Sequence, residues 1–256
     1  LIFSLLIISF KWIYSFTLFQ EDIVLRVIYD TYDNNYYPLI KAFSDLNFNP
    51  SFSERYEDLK LISFPVLSLA INSFFFKIFG GYSFIILEFI CVFLFLIIFF
   101  NILIELGINQ IKALFFSLIL FSINKIFILV SFLDISFIEI LKSNFTSFYS
   151  LRFPRPILTN LFLYAFIYFL IKFYKSEKNS LNYLIPISLI MGVSLNSFFY
   201  HAINEFVLIL IVFFYKFKND FFRVMIKNYK IIFLSTIIGL FFLAIFIFQI
   251  NLSEDA

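Results

Sequence analysis

The chain has 256 residues, of which 62% are hydrophobic and only 14% are charged, and its formal net charge is +2. Soluble domains are about 45–50% apolar and about 25% charged, so this composition excludes an ordinary soluble domain and indicates a polytopic membrane protein. The basic residues stand in short, separated clusters, which gives no indication of nucleic-acid binding. The single cysteine, Cys91, lies in an apolar run, which excludes an internal disulfide framework.

Seven apolar segments are candidates for membrane spans, each of which requires about 20 residues. The sequence therefore predicts an all-α fold, a polytopic transmembrane helical bundle forming one domain over residues 1–256. Because the chain starts at Leu1 and ends in an acidic tail directly after an apolar segment, we expect it to be a fragment of a longer polypeptide. The segment 203–215 is short, and we expect it to extend into residues 197–202. The predicted spans are residues 1–19, 82–104, 113–132, 157–173, 183–200, 203–215 and 231–250.

Loop charge predicts the orientation of these spans, because cytoplasmic loops are enriched in Lys and Arg. The loops at residues 172–178 and 216–230 are basic and are predicted to be cytoplasmic. The first loop, residues 20–60, is mainly acidic, which predicts an external position. By the same alternation, residues 105–112 and the whole loop 172–182 are predicted to be cytoplasmic. Residues 133–156 and the turn around His201 are predicted to be external.

An eighth apolar run, residues 64–79, is interrupted by Pro65, Lys77 and several other polar residues. An odd number of crossings must separate the acidic first loop from the basic loop at residues 172–178, and three predicted spans already supply them. We therefore expect residues 64–79 to lie at the outer interface. They would form a juxtamembrane helix within an external loop over residues 20–81.

This external loop contains a cluster of carboxylates and aromatic rings. Asp30 and Asp33 are three residues apart and share one face if the segment is helical, and Tyr36 and Tyr37 follow within the next turn. A carboxylate at a membrane surface can act as a general base. The same residues also suit a solvated interfacial loop with an aromatic belt, so the pattern leaves both interpretations open.

The second external loop contains two arginines, Arg152 and Arg155, with Pro154 between them and Pro156 after them. Guanidinium groups on a rigid segment can clamp a phosphate, because they present paired, planar donors. Positive charge outside the membrane also opposes the orientation bias, which favours a functional role. The alternative is that these arginines extend to lipid headgroups.

Three further residues are candidate substrate contacts. His201, the sole histidine, and Glu205 are four residues apart and can share a helical face at the outer end of two spans. Ionisable residues inside a membrane indicate a functional site by default. Lys60 precedes the interfacial run and can contact a phosphate or a sugar. The alternatives are a structural histidine in a tight turn and a solvated loop lysine.

The order of these features resembles the amino-terminal module of GT-C-type membrane glycosyltransferases, including the mannosyltransferase-like members. The shared features are one span, an external loop containing residues 33–38 (Asp-Asn-Asn-Tyr-Tyr-Pro), an interfacial helix ending at Phe79-Gly80, and further spans. In that family an Asp in the first external loop is the catalytic base or orients the substrate. It is often followed by Glu, whereas here Asn34 follows. At the family's second acidic position this chain has Arg155-Pro156, with Asp134 farther upstream.

The resemblance implies transfer of a sugar from a polyprenyl-phosphate donor to a lipid, glycan or protein acceptor at the outer face of the cytoplasmic membrane. Asp33, or Asp30 one turn away, would deprotonate or orient the acceptor hydroxyl, and Arg152 or Arg155 would neutralise the phosphate. Such a donor requires no nucleotide site, and the sequence has no nucleotide-binding glycine loop and no zinc motif. A divalent cation stays open as a cofactor.

A multi-pass transporter or a lipid or glycan flippase is the alternative function. Transporters tend to contain inverted repeats and helices interrupted near the middle of the membrane. This sequence has no evident repeat, and its polar residues concentrate at one predicted membrane surface. The pattern therefore favours the glycosyltransferase.

Overall fold

The computed structural model describes residues 36–47, 66–119, 157–177 and 180–251, and the single positions Ile2, Ile13, Phe16, Thr17 and Gln20. All regular secondary structure in these residues is helical, which confirms the all-α class. The helices are α1 (Tyr36–Ser44), α2 (Val66–Phe79), α3 (Ser83–Glu105), α4 (Gln110–Ile119), α5 (Ile157–Lys175), α6 (Leu184–Leu195), α7 (Phe199–Phe217), α8 (Phe221–Lys227) and α9 (Tyr229–Asn251).

Three helical stretches within the described residues are long and apolar enough to cross a membrane: Val66–Glu105, Phe199–Phe217 and Tyr229–Ile247. By helix length and composition, the chain is a membrane protein. The first stretch has 40 residues, and at 1.5 Å per residue it would be about 60 Å long, twice the hydrocarbon thickness. It is divided at Gly80, whose φ of +57° is left-handed and is adopted readily only by glycine. Helices α2 and α3 are therefore separate elements.

Helices α1, α2, α3 and α5 share one hydrophobic core, in which α1 packs on α2 and both α2 and α5 pack on α3. The buried residues of α3 recur every three or four positions, so they form a stripe along one face. Tyr164 of α5 contacts this stripe edge-to-face, with its ring centroid 4.7 Å from that of Phe99. Such a pair contributes about 0.5–1.5 kcal/mol. This packing matters because helices in lipid gain little from apolar contact alone, the acyl chains being equally apolar.

The carboxyl-terminal ends of α3 and α5 lie together. Helix α3 ends at Glu105 because Gly107 adopts a φ of +89° and its N–H closes the last turn on Ile104 O at 2.9 Å. The Glu105 carboxylate forms an ion pair with Lys172 of α5, and the Glu105 backbone carbonyl accepts a hydrogen bond from Lys175. One ion pair to the Glu105 carboxylate and one hydrogen bond to the Glu105 backbone carbonyl therefore join these helix ends.

The carboxyl-terminal end of α7 reaches the same place. Lys216 donates from Nζ to three backbone carbonyls at the end of α5, those of Phe173 (2.6 Å), Tyr174 (2.7 Å) and Ser176 (2.7 Å). The last carbonyls of a helix lack partners within the helix and carry partial negative charge, so an ammonium group stabilises them. We call this end of the bundle, marked by Lys172, Lys175 and Lys216, the lysine end.

Helix α2 lies at the end opposite the lysine end. Helix α3 is about 34 Å long and finishes at the lysine end, so its start, to which α2 is joined, is at the opposite end. The other terminus of α2 is close by, because Leu67 N–H donates to the Asn196 carbonyl just beyond α6, at 3.1 Å. Both termini of α2 therefore lie at one end of the bundle, which suits the interfacial position predicted for residues 64–79.

The helix within the predicted span 183–200 is shorter than the apolar run. Helix α6 ends at Leu195, and α7 begins at Phe199. The cause is Asn196, whose side-chain amide donates to the Gly192 carbonyl (3.0 Å) and to the Phe242 carbonyl of α9 (3.2 Å). Such side-chain bonds compete with continued helix. The expected extension of segment 203–215 toward its amino terminus is confirmed, whereas residues 120–132 and most of residues 1–19 lie outside the described residues.

Candidate functional site

Four of the predicted site residues lie within the described residues, in two groups. His201 and Glu205 lie in the first two turns of α7, on one face as predicted. Tyr36 and Tyr37 form the first turn of α1, a helix whose Leu39, Ile40 and Phe43 are buried against the core. The remaining predicted residues lie outside the described residues: Asp30, Asp33, Lys60, Arg152 and Arg155.

Glu205 is completely buried, with 0% of its surface exposed. Its Oε1 atom accepts a hydrogen bond from Ser194 Oγ of α6 at 2.9 Å. Its Oε2 atom has no hydrogen-bond partner among the described residues. Burying an ionisable carboxyl group is costly unless it is hydrogen-bonded, so a half-satisfied carboxyl group inside a membrane helix is a strong candidate for function.

His201 is half-buried in the first turn of α7. Its backbone N–H donates to the Phe198 carbonyl at 2.9 Å, and its ring lies edge-to-face on the Phe198 ring, with centroids 4.6 Å apart. Phe198 has an extended backbone, so these contacts reverse the chain between α6 and α7. The histidine shapes the turn and stands one helical turn from Glu205.

Glu205 belongs to a larger group of buried oxygen atoms at the end opposite the lysine end. Within the described residues, these atoms have no hydrogen-bond partner. Helix α2 supplies two of them, the segment after α6 supplies two, and α7 supplies one. We call the five residues that carry these atoms the polar cluster: Ser68, Asn72, Asn196, Ser197 and Glu205.

An apolar groove of about 600 Å³ lies beside the polar cluster, between α6, α7 and α9. Most of its lining is aliphatic or aromatic, and Ser188, Ser235 and Thr236 are its polar side chains. The lining residue Leu195 directly precedes Asn196 of the polar cluster in the chain, and none of the five cluster residues itself lines the groove. One end of the groove therefore borders the polar cluster.

Close contact between α6 and α9 forms one wall of this groove. A Cβ atom added at Gly192 of α6 would overlap the Phe242 side chain of α9 and would lie 2.8 Å from its Cβ. Small residues allow helices in membranes to approach in this way. Phe246 of α9 also stacks on Phe199 of α7, with ring centroids 5.5 Å apart. These contacts hold α9 at the end of the bundle that carries the polar cluster.

Sequence reasoning missed several buried polar residues near this site. Glu88 of α3 is 2% exposed and lies within the first two turns from the same end of the bundle. Thr159 and Asn160, at the start of α5, are also buried. The available signal was a lone polar residue within an apolar run, which indicates either a buried partner or a functional group.

The part of the chain that the structure describes contains no group of three or more His, Cys, Asp or Glu side chains arranged to hold a metal ion. The candidate site is a set of buried polar side chains, one of them the carboxyl group of Glu205, next to an apolar groove. This arrangement suits an amphipathic ligand with a hydroxyl-rich head. Comparison of the chain with known protein families, curated proteins and solved structures finds no match.

Proposed function

We propose that the chain is a GT-C-type membrane glycosyltransferase. It takes a sugar from a polyprenyl-phosphate donor and transfers it to a lipid, glycan or protein acceptor at the outer face of the cytoplasmic membrane. The observation that carries this proposal is the apolar groove that ends beside the polar cluster. The donor has the same two parts, a hydrocarbon tail and a hydroxyl-bearing head. The groove volume, about 600 Å³, lies within the usual range for ligand sites, about 300–1,000 Å³.

In the proposed reaction, Asp33 accepts the proton of the acceptor hydroxyl, with Asp30 as the rival base. The acceptor oxygen bonds to the anomeric carbon of the sugar. The bond from that carbon to the phosphate oxygen breaks, and the polyprenyl phosphate leaves with the electron pair. Arg152 and Arg155 neutralise the leaving phosphate.

The described helices support placing this chemistry at the end opposite the lysine end. Helix α1 starts three residues after Asp33, with Tyr36 and Tyr37 in its first turn. Its buried apolar residues share a core with Leu69 of α2, a helix that lies at that end. Tyr36, Tyr37, Lys60, His201 and Glu205 are the proposed substrate contacts.

The proposed topology has seven spans with the lysine end in the cytoplasm. Three segments predicted to be cytoplasmic, residues 105–112, 172–182 and 216–230, adjoin the helix ends that meet there. Their shared position supports the proposal, since a basic end faces the cytoplasm under the positive-inside rule. In this topology residues 64–79 do not cross the membrane.

Cysteine accessibility tests this topology. In a Cys91→Ala background, Asp33→Cys and Arg155→Cys are expected to react with an impermeant maleimide in intact cells. Lys178→Cys and Lys218→Cys are expected to react only after permeabilisation, because the membrane shields the cytoplasmic side. Labelling of position 178 from outside would contradict the number of crossings.

Filling the groove tests whether it holds the lipid tail. Gly239 lines the groove, and a Cβ atom added there meets nothing within 4 Å, so Gly239→Phe should occupy the groove without displacing a helix. The phenylalanine ring would displace two or more methylene groups of the lipid tail from the groove, and each buried methylene contributes about 0.8 kcal/mol. Polyprenyl-phosphate binding is therefore expected to weaken by at least about tenfold. Binding is measured on purified protein in detergent, with radiolabelled polyprenyl phosphate.

The matched control is Ile237→Phe, which adds an aromatic ring to the same helix at an exposed position. This variant is expected to bind polyprenyl phosphate as the parent does. Unchanged polyprenyl-phosphate binding by Gly239→Phe would show that the lipid tail does not bind in this groove. Absence of polyprenyl-phosphate binding by the parent would favour the transporter or flippase instead.

A further inference from the structure

The connection between α7 and α9 lies at a membrane surface. It joins two helices that are each long and apolar enough to cross the membrane, Phe199–Phe217 and Tyr229–Ile247. Residues 218–228 separate these spans and are too few to cross the membrane, because a crossing requires about 20 residues. Both span ends therefore lie at the same face, whichever way the bundle is oriented. Helix α8 forms most of this connection.

Helix α8 packs on the bundle through one face only. Its half-buried residues Phe221, Val224 and Met225 are spaced three and four apart, so they share that face. The Phe221 ring lies against the rings of Phe213 and Phe214 of α7, with centroids 5.6 Å and 5.0 Å away. Val224 packs against the core that α5, α6 and α7 share. These contacts fold α8 back against the spans and leave its other side uncovered by the described residues.

The uncovered side of α8 carries two large apolar side chains. Phe222 and Ile226 are 78% and 76% exposed, and their spacing of four places them next to each other on the helix. We call this pair the apolar stripe. A helix that lies along a membrane surface buries its apolar side chains at the boundary between headgroups and acyl chains. The position of α8 between two span ends brings the apolar stripe to that boundary.

A row of basic side chains runs beside the apolar stripe. Arg223 and Lys227 are exposed, and each directly follows one residue of the apolar stripe, so they form a neighbouring row. Lys230, at the start of α9, is exposed as well. The sole acidic residue in the sequence 218–230 is Asp220, which pairs with Arg223 at 3.6 Å. An exposed pair of this kind is weak, so the connection keeps an excess of positive charge.

We infer that α8 is a binding surface for anionic phospholipids of the surrounding membrane. The apolar stripe enters the acyl region, and Arg223, Lys227 and Lys230 contact the phosphates of adjacent headgroups. Basic side chains beside a span attract lipids with a net negative charge, whereas zwitterionic lipids offer no net charge to complement them. The inference is independent of the proposed function, since it depends only on the two spans and on the surface of α8.

A tryptophan in the apolar stripe tests both parts of the inference. Phe222→Trp in a Trp12→Phe background leaves one tryptophan in the chain. The full chain is placed in nanodiscs of phosphatidylcholine and phosphatidylglycerol, with one lipid at a time brominated near the carbonyl end of its acyl chains. Bromine quenches tryptophan fluorescence on contact, so both brominated lipids are expected to quench.

The relative quenching by the two lipids measures the preference for negative charge. Brominated phosphatidylglycerol is expected to compete for the site at least about fivefold better than brominated phosphatidylcholine, the contribution of one basic side chain at an anionic surface. Equal competition by the two lipids would overturn the inference. Absence of quenching by either lipid would overturn it too, and would show that water, a second copy or another protein covers the apolar stripe.

Charge variants of this reporter protein identify the side chains responsible. Lys227→Gln is expected to lower the preference for phosphatidylglycerol about fivefold. Its matched control is Lys77→Gln, which removes an exposed lysine from α2, at the opposite end of the bundle, and should leave the preference unchanged. An equal fall in both variants would contradict a local site.

Neutralising the whole basic row separates the headgroup contacts from the acyl contacts. The triple variant Arg223→Gln/Lys227→Gln/Lys230→Gln is expected to be quenched equally by the two lipids, because the apolar stripe is intact and the charge is gone. All three positions are exposed, so its unfolding temperature in detergent should stay near that of the parent. A preference for phosphatidylglycerol that survives in the triple variant would overturn the inference.

Discussion

Replacing Asp33 by Asn is expected to lower the rate of sugar transfer by about two to four orders of magnitude, the usual contribution of a general base. Asparagine keeps the size and polarity of the side chain but cannot accept the acceptor's proton at neutral pH. Transfer from a polyprenyl-phosphate sugar is measured in membranes that contain equal amounts of parent and variant.

Three further variants test whether the loss of sugar transfer is due to the missing general base at position 33. Asp45→Asn is the matched control, since Asp45 is an exposed carboxylate just after α1, and surface substitutions usually change stability by less than about 0.5 kcal/mol. If Asp30→Asn loses the activity and Asp33→Asn does not, the two carboxylates exchange roles. Arg155→Ala is also expected to lower the rate of sugar transfer, because the leaving phosphate would no longer be neutralised by this arginine. Near-parental activity of Asp33→Asn would remove its catalytic assignment.

Among the substitutions described here, Gly192→Leu is expected to cause the largest loss of folding stability. Any side chain there would overlap Phe242 close to the backbone of α9, so α6 and α9 must move apart. Overpacking typically costs about 1–3 kcal/mol, and this separation would also weaken the bond from Asn196 to the Phe242 carbonyl. Thermal unfolding in detergent, followed by circular dichroism, is expected to shift to lower temperature.

Gly239→Leu provides the control for this substitution, because the same side chain enters open space on α9. It is expected to unfold near the parental temperature. Combining Gly192→Leu with Phe242→Ala should recover part of the lost stability, since the alanine vacates the overlapping volume. Equal unfolding temperatures for the two leucine variants would show that close approach at Gly192 contributes nothing.

Long apolar runs allowed several helices to be predicted well. Residues 82–104, 157–173 and 231–250 correspond to helices Ser83–Glu105, Ile157–Lys175 and Tyr229–Asn251, because an uninterrupted apolar run carries its own boundary signals. The shortness of segment 203–215 predicts a break near residue 197, but not that helix α6 ends at Leu195. This end depends on the Asn196 amide reaching the Phe242 carbonyl, 46 residues away, and no local pattern contains that contact.

The site was predictable only where spacing along one helix was informative. His201 and Glu205 were found because residues four apart share a helical face. In the sequence, Ser68 and Asn72 only interrupt an apolar run, and Ser197 only belongs to the expected extension of segment 203–215. Their significance is that they lack hydrogen-bond partners among the described residues, and a missing partner can be recognised only in three dimensions.

The exposed lining of the groove determines how a lipid ligand would reach it. Phe206 and Leu240 line the groove, yet 54% and 58% of their surfaces are exposed. In a membrane such surfaces face acyl chains, so the groove opens sideways into the bilayer. A donor would arrive by two-dimensional diffusion without leaving the lipid phase. Site occupancy would then follow the donor's mole fraction among membrane lipids, and added inert lipid would act as a diluent.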